Sequence, residues 1–393
     1  MRVALFTYAT QPRGGVLHTL ALAEALHDLG HAVTLYALDD GRGFIRPPRC
    51  PNVRIPLEGG RGDLLDFVRR CIATYVAAFD DAAPRYDVYH AHDGISGNAL
   101  ATLTERGRIA GFVRTVHHLD DFGTGELAAL QDRSILRARR WLVVSPLWRE
   151  RLAQTYGCAA DVVGNGVDTQ RFSPAPAAER GRLRVQLGVP AGPLFVTIGG
   201  IEPRKNTLAL LEAFAHVRRT QPAARLIIAG GASIFEHSAY RTAFEARAVE
   251  LGCAIQRGLH DSAADLCETA QVIVTGVLRD DEIVMLLRAA HAFVFPSLIE
   301  GFGLAVLEAA ACGTPVIASA IRPFTDYLSP ADALLVNPCD PDDVSAAMQR
   351  ALTAQTAQRA RERGPALARR FTWQASARAH AAVYAKCCEA YCA

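Results

Sequence analysis

The chain has 393 residues, of which 50% are hydrophobic and 21% charged, with a formal net charge of +2. That length exceeds one ordinary core and points to two domains, and the near-neutral balance argues against a dedicated nucleic-acid binder. No apolar run reaches the roughly 18 residues of a membrane-spanning helix.

The N-terminus opens directly on a strand pattern, RVALFTY (2–8), with no secretory-leader pattern. A helix follows from about Val16 to Leu29, ending at Gly30, and then a second strand, AVTLYAL (32–38). Between Gly41 and Gly62, Arg42, Arg46, Arg49, Arg54 and Arg61 face a single acid, Glu58. We read this stretch as a basic loop with Phe44 and Ile45. It either meets an anionic acceptor or a membrane surface, or is a solvated insert. VYHAH (88–92), FVRTVHH (112–118) and WLVVSP (141–146) read as further strands. Periodicity breaks over 173–192, which holds three prolines. A second series runs through LFVTIGG (194–200), RLIIAGG (225–231), VIVTG (272–276), HAFVFPS (291–297) and PVIAS (315–319). Such alternation predicts an α/β chain of two doubly wound parallel-sheet domains facing each other across a cleft, with ligands beyond the carboxyl ends of the strands. The ten cysteines (Cys50, Cys71, Cys158, Cys253, Cys267, Cys312, Cys339, Cys387, Cys388, Cys392) form no CxxC. Reduced thiols and a cytoplasmic location are expected.

The most informative stretch is PSLIEGFGLAVLEAAACGTPVIAS (296–319). LAVLEAAAC is built of good helix formers, Gly313 suits a C-cap, and Pro315 follows it. The helix is therefore expected from about Leu304 to Cys312, with Glu300 in the preceding loop and Glu308 in the second turn. Gly301 and Gly303 leave the first-turn amides uncovered, which makes an anion site. Glu308 leans back toward that mouth. A carboxylate there would repel phosphate but accepts vicinal hydroxyls, so we read a sugar-nucleotide site. The alternative is an exposed Glu308 and a chance Glu300.

Three other strand ends carry candidate groups. In TYATQPRGGVLH (7–18), Gly14 and Gly15 precede a helix without forming GxGxxG. In GGIEPRKNTLALLEAF (199–214), Arg204 and Lys205 either clamp a diphosphate or are solvated. In YHAHDG (89–94) and TVHHLDDF (115–122), His117 or His118 can bond a sugar hydroxyl or cap a loop. The paired histidines lack a defined third ligand for a metal.

In order and spacing, GGIEPRKN, LIIAGG, VTGVLRDDEI, FPSLIEGFGLAVLEAAACGTPVIAS and LLVNPCDPDDVSAAM resemble the retaining glycosyltransferases of family 4, of GT-B fold. Glu300 and Glu308 match the family's E-x7-E motif. MRVALFTYATQPRGG, LAEALHDLGHAVTLYAL, YDVYHAHDG, TVHHLDD, VVSPLWRERL and GNGVDTQRFSP extend the likeness to the first half. We set the domains at 1–180 (acceptor side) and 181–371 (donor side), with a closing helix, 372–389, which the resemblance implies crosses back onto the first domain.

The resemblance further implies roles. Glu308 holds the donor ribose hydroxyls. Glu300 faces the transferred sugar. Lys205 binds the diphosphate, helped by Gly15 and the amides of the Gly301–Phe302–Gly303–Leu304 segment. His117 contacts the donor sugar, and Val277 lies near the base. The family's usual Gly-Arg is Gly199–Gly200 here, so Arg204 is expected to supply the missing charge, and Gly164 replaces a common proline. Asp120–Asp121 and Asp280–Asp281 read as plain loop acids, and neither metal nor cofactor is expected. The implied reaction moves a hexosyl unit from a nucleoside-diphosphate sugar to a hydroxyl of a small-molecule, glycan or lipid acceptor. Attack comes on the same face through an oxocarbenium-like ion pair, with domain closure excluding water. The rival readings are a Rossmann oxidoreductase, a non-catalytic sugar-nucleotide binder and a GT-B phosphorylase.

Overall fold

A computed structural model describes residues 1–60, 62–80, 85–176, 179–189, 191–231, 237–258 and 270–392. Arg61 and Cys267 lie outside the described residues. The chain forms two compact units, Met1–Gly166 with Trp373–Ala393, and Val167–Thr372. The unit change thus falls before the proline-rich stretch, and the closing helix, Trp373–Cys392, belongs to the first unit.

The first unit holds β1 (Arg2–Thr7), β2 (Ala32–Asp39), β3 (Asn52–Pro56), β4 (Val88–Ala91), β5 (Val113–Val116), β6 (Arg140–Val143) and β7 (Ala160–Val162). They form one parallel sheet in the order β3-β2-β1-β4-β5-β6-β7. The second unit holds β8 (Leu194–Ile198), β9 (Arg225–Ala229), β10 (Ile255–Arg257), β11 (Val272–Gly276), β12 (Ala292–Phe295), β13 (Val316–Ser319) and β14 (Leu334–Val336). Their order is β10-β11-β9-β8-β12-β13-β14, again parallel. Central strands such as β9 and β12 are buried along their whole length. This is the continuous apolar burial that helices on both faces of a sheet impose.

The order of winding reverses between β1 and β4 in one sheet and between β8 and β12 in the other. At such a reversal neighbouring crossovers leave on opposite faces, and a crevice opens beyond the strand ends.

Several expectations are corrected here. The arginine-rich stretch is not wholly loop, because Asn52–Pro56 adds the edge strand β3 beside β2. Its cations are also met by acids outside the stretch. Arg46 forks onto the buried Glu24 at 2.5 and 2.8 Å, Arg49 reaches Glu24 and Asp28, Arg42 pairs with Asp40, and Arg54 pairs with Asp39 at 3.1 Å. Burial alone would raise the Glu24 pKa, but Arg46 and Arg49 together outweigh it and the carboxylate titrates below its ordinary range. Charge matching within the fold thus accounts for these four arginines. Asp280 and Asp281 are not loop acids. They open the helix Asp280–Ala289, where negative charge suits the positive end of the dipole. Gly14 and Gly15 form the first turn of the helix Gly14–Asp28 rather than preceding it.

Among the described residues eight cysteines are free thiols, and no described helix is long and apolar enough to cross a membrane. The helix Leu304–Ala311 rests on the helix Ala354–Ala368 through Gly364, where an added Cβ would lie 2.3 Å from the Ala310 carbonyl oxygen. Gly364→Ala is therefore expected to cost about 1–3 kcal/mol of stability, read as a lower urea midpoint at unchanged slope.

Candidate active site

In the second unit the glycine-spaced motif lies just beyond β12, at the reversal beside β8. Gly303 is the N-cap of Leu304–Ala311, with φ 93° and no side-chain cap. Its missing Cβ is required twice over: the backbone is left-handed, and a Cβ would come 2.5 Å from Phe324 Cε1. The helix therefore starts with its first-turn amides uncapped by any side chain, as the sequence implied. The Phe302 ring turns inward, stacking on Tyr327 at 5.0 Å and meeting Phe371 edge-on at 5.7 Å, while Tyr327 Oη donates to the Phe302 carbonyl at 2.9 Å. Only the Phe302 backbone remains for a ligand.

Beyond β8, Pro203–Lys205 makes a single 3-10 turn, and Asn206, at φ 55°, redirects the chain into the helix Thr207–Arg218. The turn is tied to the motif by Leu298 N donating to the Arg204 carbonyl at 2.9 Å, and Asn206 Nδ2 donates to the Pro338 carbonyl at 2.6 Å. Both cations converge on one oxygen: Glu300 Oε1 accepts from Arg204 at 2.8 Å and from Lys205 Nζ at 2.7 Å. Lys205 Nζ also lies 4.3 Å from the centre of the Phe295 ring. Burial pushes Glu300 toward protonation, but Lys205 and Arg204 overcome it and hold the carboxyl below its ordinary range. Lys205 titrates below its usual value because burial outweighs the attraction of Glu300.

Gly200 cannot simply be exchanged for the arginine of the family pattern. It has φ 75°, and a Cβ would sit 2.7 Å from the Gly231 carbonyl oxygen. Val277, at the end of β11, is 47% exposed.

Glu308 differs in kind. Its carboxylate is half-buried and accepts no hydrogen bond from any described residue. Burial first, then the nearby charge of Asp280, raise its pKa to about 7 against the opposing pull of Arg171. Arg171 is itself held by Asp280 at 2.5 Å. The sequence motif gave no sign of this Arg171–Asp280 pair, which comes from segments far apart in the chain.

The first unit gathers Gly15 and His117. A Cβ on Gly15 would lie 3.6 Å from His117 Cδ2. His118 instead turns to Asp120, 3.3 Å away. His117 does not stand alone. His18, from the second turn of Gly14–Asp28, lies 4.7 Å from it between ring centres, and His92, just past β4, lies 5.9 Å away. Burial lowers the pKa of all three, that of His18 to about 4, so the rings are neutral near pH 7. Sequence reasoning passed over His18. It sits mid-helix with no local motif, and only the approach of the β4 and β5 ends reveals it. The site residues of Gly15 and His117 thus belong to one unit, and those of Arg204, Lys205, Val277, Gly301–Leu304, Glu300 and Glu308 to the other.

Comparison with known proteins now gives the class. Residues 180–366 match the family "Glycosyl transferases group 1", and residues 12–171 match "Glycosyltransferase Family 4". A D-inositol 3-phosphate glycosyltransferase of Xylanimonas cellulosilytica is 32% identical over 98% of this chain and 96% of its own length. The protein of the same name from Acidothermus cellulolyticus is 31% identical over 68% of this chain, and that match spans 60% of the relative. Anabaena HepE in complex with UDP and glucose superposes with a TM-score of 0.76, at 18% identity, over 98% of this chain and 99% of that one. The chain belongs to the family 4 glycosyltransferases of GT-B fold, and is a transferase.

Because the Glu308 pKa is raised on folding, its neutral form is the one the fold favours. That contribution to stability is complete below the ordinary carboxylate pKa of about 4.5 and is lost as pH rises through about 7. Glu308→Gln should therefore flatten the decline of stability between pH 5 and pH 8, as read by urea unfolding at each pH. An unchanged slope would show that Glu308 titrates normally.

Proposed function

We propose that the protein moves a hexosyl unit from a nucleoside-diphosphate sugar to an acceptor hydroxyl, with retention at the anomeric carbon and without a metal. The observation that carries this reading is the contrast at the β8/β12 reversal. Two cations and an uncapped helix start lie beside one glutamate, and a second glutamate eight residues on accepts no hydrogen bond from any described residue. Cations and amides suit a diphosphate. A carboxylate without a partner suits the two vicinal hydroxyls of a ribose, and its binding as the anion is helped by those donors.

In this reading Glu308 holds the ribose, and Val277 borders the base through its backbone. Lys205 and Arg204 meet the developing charge on the departing diphosphate, together with the amides from Gly301 to Leu304 and the Gly15 backbone. Their shared contact with Glu300 supports a role for that carboxylate beside the transferred sugar. His117, neutral, accepts or donates at a sugar hydroxyl. The leaving phosphate takes the acceptor proton, so no separate base is required. The relatives named for inositol 3-phosphate suggest a small polyol phosphate as the first acceptor to try.

The direct test is thermal stabilisation by UDP-, GDP-, ADP- and dTDP-sugars, since a ligand that binds only the folded state raises its melting temperature. One donor should stabilise the wild type and fail to stabilise Glu308→Ala. No shift with any donor at millimolar concentration would count against the site as drawn. With the donor known, Lys205→Ala should lower kcat by about 10²–10³-fold, as expected when a group stabilising transition-state charge is removed. A nuclear magnetic resonance spectrum of the product with an inverted anomeric centre would end the same-face mechanism.

A further inference from the structure

The histidines of the first unit exceed what one sugar contact needs. We propose that His18, His92 and His117 form a binding site for one borderline-soft divalent cation, with zinc the best fit. One ring nitrogen from each lies within 4.8 Å of the others. Four of their nitrogens, His18 Nε2, both of His92 and His117 Nε2, are buried without a hydrogen-bond partner. Leaving such groups unpaired in the interior costs free energy, and several converging on one point call for a common partner. Three imidazoles with an open fourth position are a ligand set zinc accepts. Nitrogens on one tetrahedral zinc stand about 3.4 Å apart, given Zn–N of about 2.05 Å, so closure requires ring movements of an ångström or so.

The surroundings are those of a held ligand set. The His18 Nδ1 proton is directed at Asn165 Oδ1, which leaves the Nε2 lone pair free to coordinate. His90 is pinned by Thr115 Oγ1 at 2.7 Å and Tyr384 Oη at 2.6 Å, and its ring backs His92 at 4.0 Å. Trp373 closes over His18 at 5.3 Å. His117 is half-buried and gives the cation a way in.

A metal here takes His117 Nε2, so an occupied site opposes sugar transfer. That consequence rests on the donor-sugar role proposed above; the binding itself does not. The test is titration of chelator-stripped protein with zinc chloride. One equivalent should bind, and X-ray absorption of the wild-type complex should show imidazole nitrogens and no sulfur. His92→Gln should abolish the stoichiometric site, Asn165→Ala should weaken it about 10- to 100-fold, and His216→Gln should leave it intact. The cobalt-loaded protein should show no thiolate charge-transfer band, which excludes the free cysteines. Absence of a stoichiometric site in the wild type, sulfur in the zinc shell, or unchanged affinity in His92→Gln would each overturn the proposal. The wild-type spectrum decides even where a variant fails to fold. Inhibition of transfer by zinc, tested separately, bears only on the role of His117.

Discussion

Both units are governed by one constraint: a parallel sheet must bury both faces. Each crossover then has to pass over one face or the other, and the winding reverses once per sheet. At the reversal the helices on the two sides diverge and leave a crevice beyond the strand ends. Apart from Val277, which follows β11, every group assigned to chemistry in the second unit, from Arg204 and Lys205 to Glu300 and Glu308, comes from the segments directly after the two strands at its reversal. In the first unit the same position gathers the helix after β1 with the ends of β4 and β5. Glycines answer the same constraint locally. Gly199, Gly200 and Gly230 let two strand ends approach so closely that a Cβ on Gly230 would lie 2.8 Å from the Gly200 nitrogen.

Within that frame one sequence motif produces two unlike carboxylates. Glu300 is almost wholly buried, yet it stays ionised because two cations share one of its oxygens. Glu308 has no cation bonded to its carboxylate among the described residues, and burial and the charge of Asp280 raise its pKa to about 7. The electrostatic difference matters more than the spacing. A charge already compensated can be shared with a diphosphate's counter-cations at little cost, whereas an uncompensated one is ready for donors brought by a ligand.

The histidine layer of the first unit follows another logic. His90 and His380 are bonded into the fold, through Thr115 and Tyr384 and through Ser376 respectively. His380 keeps one spare nitrogen, its Nε2, but only His18, His92 and His117 bring a ring nitrogen each to within 4.8 Å of one another. Buried polar groups without partners are uncommon in folded proteins, and a group of three around one point is a site rather than a packing accident.

The sequence by itself determined the alternation of strands and helices, the two-domain plan, the helix from Leu304 and the pairing of Glu300 with Glu308. Each is set by local propensity, glycine conformation or a short motif. The short edge strands β3, β7, β10 and β14 escaped it, since three to five residues at a sheet border carry little periodicity. Tertiary structure alone decided that Arg204 and Lys205 meet on Glu300, that Asp280 and Arg171 set the charge of Glu308, that Arg46, Arg49 and Arg54 are neutralised by acids of other elements, and that His18 joins His92 and His117. The physical reason is common to all four. Electrostatic and metal-ligating contacts act over a few ångströms in space, and the residues that make them are tens to more than a hundred positions apart in the chain.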